Sequence, residues 1–146
     1  MNASRLWRML RFASITPVLR TTDVGRSMRW YSDILGFIAE PRPAEAPHQS
    51  CLLARDGARL MLRRAPAPVT AMPRALREGD WDVYLQLDGG ELAALLDAAR
   101  CRTPLVRGPE VMPGGVVEFE LEDPDGHRVC VAEALADVSA FPPAVP

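Results

Sequence analysis

At 146 residues, with 48% hydrophobic and 25% charged residues, the chain suits one compact domain or two half-domains sharing a core, and its composition argues against disorder. The net charge of −2 gives no global reason to expect nucleic acid or an anionic membrane as a partner, and no stretch approaches the roughly 18 apolar residues of a membrane span. All 17 basic residues are arginine, which excludes Schiff-base chemistry through a lysine.

Charge is unevenly distributed. Residues 1–80 carry 13 Arg against 7 Asp and Glu, whereas residues 81–146 carry 4 against 12. Such halves either attract one another, within a chain or across a dimer, or are biased solvated faces. Cys51, Cys101 and Cys130 are odd in number and fit no CxxC pattern, so they read as free thiols in a reducing cytoplasm, mostly buried.

Residues 1–13 set Arg5, Arg8 and Arg11 between Leu6, Trp7, Leu10 and Phe12. This N-terminal arm is too short and too interrupted for a secretory signal. It reads as a docking arm, as residues ahead of a start at Met9, or as a basic amphipathic helix for a membrane surface or an organelle address. Residues 14–22 (SITPVLRTT) predict a β-branched strand. Asp23 then caps a helix whose apolar stripe is Val24, Met28, Tyr31 and Leu35, widened by Ile34, and Gly36 suits its left-handed stop. Residues 37–40 begin the next strand, and a loop with Pro41, Pro43 and Pro47 follows. Residues 50–54 and 58–63 pair across Asp56-Gly57, a strong hairpin signal. The first module, residues 14–64, is therefore β-α-β-β-β.

Residues 65–80 hold Pro66, Pro68 and Pro73 and no clear period, so they read as a linker or a flap. Residues 81–134 repeat the grammar. A strand over residues 81–87 alternates Val83, Leu85 and Leu87 with Asp82, Tyr84 and Gln86. Asp88 is expected to cap a helix with Glu91 at its third position and Leu92, Leu95, Leu96 and Ala99 buried. A short strand is expected over residues 103–107, then a loop through Pro113-Gly114-Gly115. The stretch EFELEDPDGHRVCVAE at 118–133 is a hairpin with its turn at Asp123-Pro124-Asp125-Gly126. Its Asp125-Gly126-His127-Arg128-Val129-Cys130-Val131 matches Asp56-Gly57-Ala58-Arg59-Leu60-Met61-Leu62, which suggests one module written twice. Residues 135–146 form a tail.

Two motifs carry a resemblance: Thr22-Asp23-Val24-Gly25-Arg26-Ser27 leading to Trp30-Tyr31 and Leu35-Gly36-Phe37, and Glu122-Asp123-Pro124-Asp125-Gly126-His127. With the duplication, they make residues 14–134 resemble the vicinal oxygen chelate superfamily of glyoxalase I, extradiol dioxygenases, fosfomycin-resistance enzymes and bleomycin-resistance proteins. The resemblance implies an α+β fold of two βαβββ modules whose curved mixed sheets enclose a concave pocket, and a homodimer. It also implies a divalent-metal site at the positions of Thr16, Met61, Asp82 and Cys130. Enzymes of the superfamily carry His, Gln or Glu at most of these places. A Thr/Met/Asp/Cys set suits neither a hard octahedral cation nor tetrahedral zinc.

Period two predicts the lining. Asp82, Tyr84 and Gln86, Arg59, Met61 and Arg63, Glu118, Glu120 and Glu122, and Arg128 and Cys130 face the concave side. The ligand-binding candidates are Thr16, Met61, Arg63, Asp82, Tyr84, Glu120 and Cys130. Either the wall is acidic and aromatic and takes cationic or amide groups, or Arg59, Arg63 and Arg128 pair with Glu118, Glu120 and Asp82 and fill it. Trp30 and Trp81 read as core packing before aromatic wall. His48 in its loop and His127 after the turn read as surface residues, and no Ser/His/Asp order or phosphate loop stands out. The expected function is metal-free sequestration of a drug or metabolite. The alternatives are a metal-dependent lyase, isomerase or dioxygenase using Asp82 as base, assisted by Tyr84 or Cys130, or an interaction module whose concavity is filled.

Overall fold

A computed structural model describes residues 3–66 and 80–144; most of the linker or flap expected at 65–80 therefore lies outside the described residues. Helix α1 (Ala3–Met9) buries none of its residues. Strand β1 (Val18–Thr21) is shorter than the run of β-branched residues suggests. Its parallel ladder with β4 (Ala58–Arg64) starts at Val18 opposite Met61. Pro17, just outside, offers only its carbonyl, which accepts from the Met61 N–H at 2.9 Å.

Helix α2 (Val24–Leu35) is built as its sequence predicts. The Asp23 carboxylate accepts from the Arg26 N–H at 3.0 Å, and Gly36 stops the helix at φ 70°. Its buried face is Val24, Ser27, Tyr31, Ile34 and Leu35. Strands β2 (Ile38–Arg42) and β3 (Ser50–Arg55) complete a sheet in the order β1-β4-β3-β2, with only the β1–β4 pair parallel.

The second module repeats this plan: β5 (Val83–Gln86), α3 (Leu92–Arg100), β6 (Arg107–Met112), β7 (Val116–Glu122) and β8 (Arg128–Ala134), ordered β5-β8-β7-β6. The α+β reading and the duplicated βαβββ grammar hold, as two four-stranded mixed sheets that do not close on one another. Two details differ. The strand expected at 103–107 lies at Arg107–Met112, so Pro113-Gly114-Gly115 is the tight turn into β7, with the Gly115 N–H donating to the Met112 carbonyl. Asp88 does not cap α3. Glu133, buried on β8, accepts from the N–H groups of Gly90 at 2.5 Å and Leu92 at 3.0 Å. A carboxylate from a neighbouring strand thus does the work that a local cap residue was expected to do.

The apolar positions of both sheets face the two helices and merge into one core. Leu19, Leu53, Leu60 and Leu62 come from the first sheet, and Val117, Phe119, Leu121, Val129 and Val131 from the second. Each such fully buried aliphatic or aromatic side chain contributes roughly 2 kcal/mol of transfer free energy. The opposite face of each sheet carries most of the polar positions.

Candidate functional site on the acidic face of the second sheet

Strand register places the polar residues in rows. Arg107 pairs with Glu120, Glu120 with Cys130, and Cys130 with Tyr84, so four strands present one row across the helix-free face. In the next row Glu110 stands opposite Glu118, and Glu118 opposite Ala132. Neighbouring carboxylates of this kind repel unless a cation lies between them, and Arg107 takes that place. Its Nη2 donates to Glu118 at 2.8 Å, its Nε to Glu120 and its Nη1 to Glu110.

A β-bulge makes this possible. The β6–β7 register shifts between Arg107 and Glu110, and Gly108 sits at φ 81° with the place of a Cβ only 2.5 Å from the Glu118 carbonyl oxygen. Any other residue there meets backbone as well as an unfavourable φ. The bulge brings Arg107 and Glu110 onto the same face.

The carboxylates of Glu118 and Glu120 are nearly inaccessible, at 7% and 5% side-chain exposure, while Arg107 keeps 28%. Burial works against the Arg107 charge, but the hydrogen bonds to Glu120 and Glu118 outweigh it and hold its pKa above the usual value. Burial and the nearby Glu118 charge push the Cys130 thiol up to about 12, so the sulfur is a neutral thiol at neutral pH. Tyr84 donates from its hydroxyl to Glu118 at 3.2 Å, and burial and Glu118 raise its pKa. Its ring lies 5.5 Å from that of Trp81, and both are exposed. Among the described residues, one guanidinium among three carboxylates leaves the patch negative beside two exposed aromatic rings.

Of the residues singled out in the sequence, Tyr84, Glu120 and Cys130 come together here. Asp82 precedes β5 and its carboxylate accepts from the Arg128 N–H at 2.8 Å, which ties down the start of β8. Thr16, before β1, and Met61, beside Val18, belong to the first module and are half-buried. Arg63 is exposed opposite Arg20 on the first sheet. The expected partners of the glutamates were wrong. Arg128 pairs with Glu122 at 3.3 Å, and Arg107, not Arg59 or Arg63, serves Glu118 and Glu120. Nothing in the hydrophobic period marked Arg107, because a bulge breaks that period where the residue lies. Trp81 also differs from expectation, lying beside Tyr84 at the surface with the two rings tilted by 36°, whereas Trp30 packs against the core.

The Asp-Pro-Asp-Gly turn clasps the other module. Asp125 accepts from Thr21 Oγ1 at 2.5 Å, Ser27 Oγ at 3.1 Å, Thr22 Oγ1 at 2.9 Å and the Thr22 N–H at 3.1 Å. Burial of Asp125 is outweighed by these bonds, and its pKa lies below the ordinary carboxylate value. Asp123 accepts from the Tyr31 hydroxyl at 2.8 Å and from the Asp125 and His127 N–H groups. His127, expected at the surface, is largely covered, with Nδ1 3.1 Å from Asp123. The hydrogen bond to Asp123 raises its pKa against the opposing effect of burial.

The four positions implied for a metal do not fit one. Thr16 and Met61 are neutral, Cys130 is held protonated, and Asp82 is engaged by backbone. Among the described residues no three His, Cys, Asp or Glu side chains are grouped to hold a metal ion.

Residues 11–131 match the Glyoxalase/Bleomycin resistance protein/Dioxygenase superfamily, and the chain belongs to that family. No curated protein is similar enough in sequence to count as a relative. Among solved structures, TioX from Micromonospora sp. ML1 is similar at TM-score 0.68 and 18% identity, covering 85% of this chain and 100% of its own. Lactoylglutathione lyase from Agrobacterium tumefaciens aligns at TM-score 0.60 and 18% identity, over 83% of this chain and 93% of its own. The fosfomycin resistance protein FosX from Listeria monocytogenes aligns at TM-score 0.64 with 8% identity, over 87% and 97%. At these identities the likeness is one of fold.

Proposed function

We propose that the protein binds a small molecule carrying a cationic or amide group against the acidic, aromatic face of its second sheet, and sequesters it without a metal. The observation behind this reading is Arg107. It stands between Glu110, Glu118 and Glu120, where a bound cation would otherwise sit, and among the described residues it leaves a surplus of negative charge beside Tyr84 and Trp81. Aromatic faces add cation–π attraction for the same class of ligand. A drug or metabolite with a positively charged planar group meets both features.

The second copy belongs to the same proposal. The helix-free face of the first sheet exposes Val18, Ile38, Arg20, Arg59 and Arg63, a basic surface complementary to the acidic one. A homodimer pairing these faces would roof the ligand. Among the described residues no helix is long and apolar enough to cross a membrane.

The test is equilibrium binding with a panel of glycopeptide antibiotics and cationic aromatics, alongside elemental analysis of protein purified without chelator. Saturable binding to metal-free protein, weakened at least ten-fold by Glu118→Gln with Glu120→Gln, is the expected result. Stoichiometric metal together with metal-dependent turnover that Asp82→Ala abolishes would reject it for the lyase, isomerase or dioxygenase reading. A monomeric mass by light scattering at micromolar concentration counts against the dimer.

A further inference from the structure

The two ends of the junction between the modules are not alike. Val18 pairs with Met61 as Tyr84 pairs with Cys130, and the repeated Asp-Gly turns put Asp56 in the place of Asp125. Counting four residues on from Val18 and Tyr84, Thr22 of the first module corresponds to Asp88 of the second. At one end Asp125 finds the hydroxyls of Thr21, Thr22 and Ser27 and closes the junction. At the other end Asp56 lines the same cleft as Asp88 and Glu91. Ionised carboxylates only accept hydrogen bonds, so no clasp forms between them.

What remains is a cleft of about 460 Å³, within the size range of small-molecule sites. Its floor is apolar: Leu35, Phe37 and Val131 from the core, with Leu85, Leu87 and Leu95 half-buried. Its edge is acidic. Arg55, the single basic residue lining it among the described residues, donates from Nη1 to the Leu35 carbonyl at 2.5 Å and stands 3.9 Å from Asp56. Asp88 and Glu91 have no cationic partner among the described residues.

We propose that this cleft is a ligand site in its own right, for a small hydrophobic amine. The apolar body lies on the leucine floor and the ammonium meets the carboxylates of Asp56, Asp88 and Glu91. The site needs no second copy and uses none of the glutamates around Arg107.

Calorimetric titration of the full chain with n-alkylamines from butylamine to octylamine, beside the corresponding alcohols, tests it. Binding should tighten about three- to four-fold per added methylene, with each amine at least five-fold tighter than its alcohol. Asp88→Asn with Glu91→Gln should bring amine affinity down to that of the alcohol. Leu95→Trp should weaken both, and Ala58→Leu is a milder filling variant should the first lose its cooperative thermal unfolding. No saturable binding, equal affinity for amine and alcohol, or unchanged affinity in a folded filling variant overturns the proposal. So does loss of amine binding in Glu118→Gln with Glu120→Gln, which would move the ligand to the open face of the second sheet.

Discussion

Thr21 donates to the carboxylate of Asp125 at 2.5 Å across 104 positions of sequence. That contact, with those of Thr22 and Ser27, fastens the last hairpin of the second module to the strand–helix junction of the first. The two halves of opposite charge bias do meet, but the meeting is made mainly by hydroxyls. Arg26, 3.6 Å from Asp125, is the one guanidinium paired with it among the described residues and is half exposed.

Asp125→Ala leaves several hydroxyl and amide donors without their acceptor, and should lower the unfolding free energy by about 3 kcal/mol. Urea denaturation with an unchanged m-value checks this. A loss below about 0.5 kcal/mol would mean that the core alone holds the modules together.

Removing Arg107 strands two buried carboxylates. Arg107→Met should cost about 3–5 kcal/mol. Adding Glu118→Gln and Glu120→Gln to that variant should recover much of the loss, since the penalty lies in the uncompensated charges. A multiple-mutant cycle by thermal unfolding measures the coupling, and strict additivity of the substitutions would contradict the arrangement described.

His127 predicts a direction for pH. Its pKa is raised above the ordinary 6.5 in the folded protein by Asp123, with Asp82 and Asp125 adding to the same effect. The stabilisation is fully present below the unfolded value and is lost as pH rises through the higher folded one. Unfolding free energy should therefore fall on going from pH 6 to pH 9, and His127→Gln should flatten that part of the curve. An identical profile in the variant would remove His127 from the account.

The thiols should separate by reactivity. Cys101 is exposed, whereas Cys51 and Cys130 are buried and burial pushes both of their pKa values up. At pH 8 a disulfide reagent should label one thiol quickly and two only as the protein unfolds, and Cys101→Ser should abolish the fast phase. Rapid labelling of Cys130 would show its site to be open.

Local features were legible before the fold was. Asp23 and Gly36 mark both ends of α2, and alternation along residues 118–133 assigns Phe119 and Leu121 to the core and Glu118 and Glu120 to the other face. These succeed because capping and period-two burial depend on neighbours in sequence. The α3 cap failed for the opposite reason. Glu133 reaches Gly90 and Leu92 from another strand, and no local pattern announces that.

The chain by itself determined the duplicated βαβββ plan, the family and which strand faces carry charge. Only the tertiary structure decided what those charges meet. Arg107 reaches Glu118 and Glu120 because Gly108 fits beneath the Glu118 carbonyl in a bulge, and Asp125 finds hydroxyls where Asp56 lines a cleft with Asp88 and Glu91. Residue identity sets what a side chain can bond to. Which of the possible partners lies within reach is set by register and packing between elements distant in sequence.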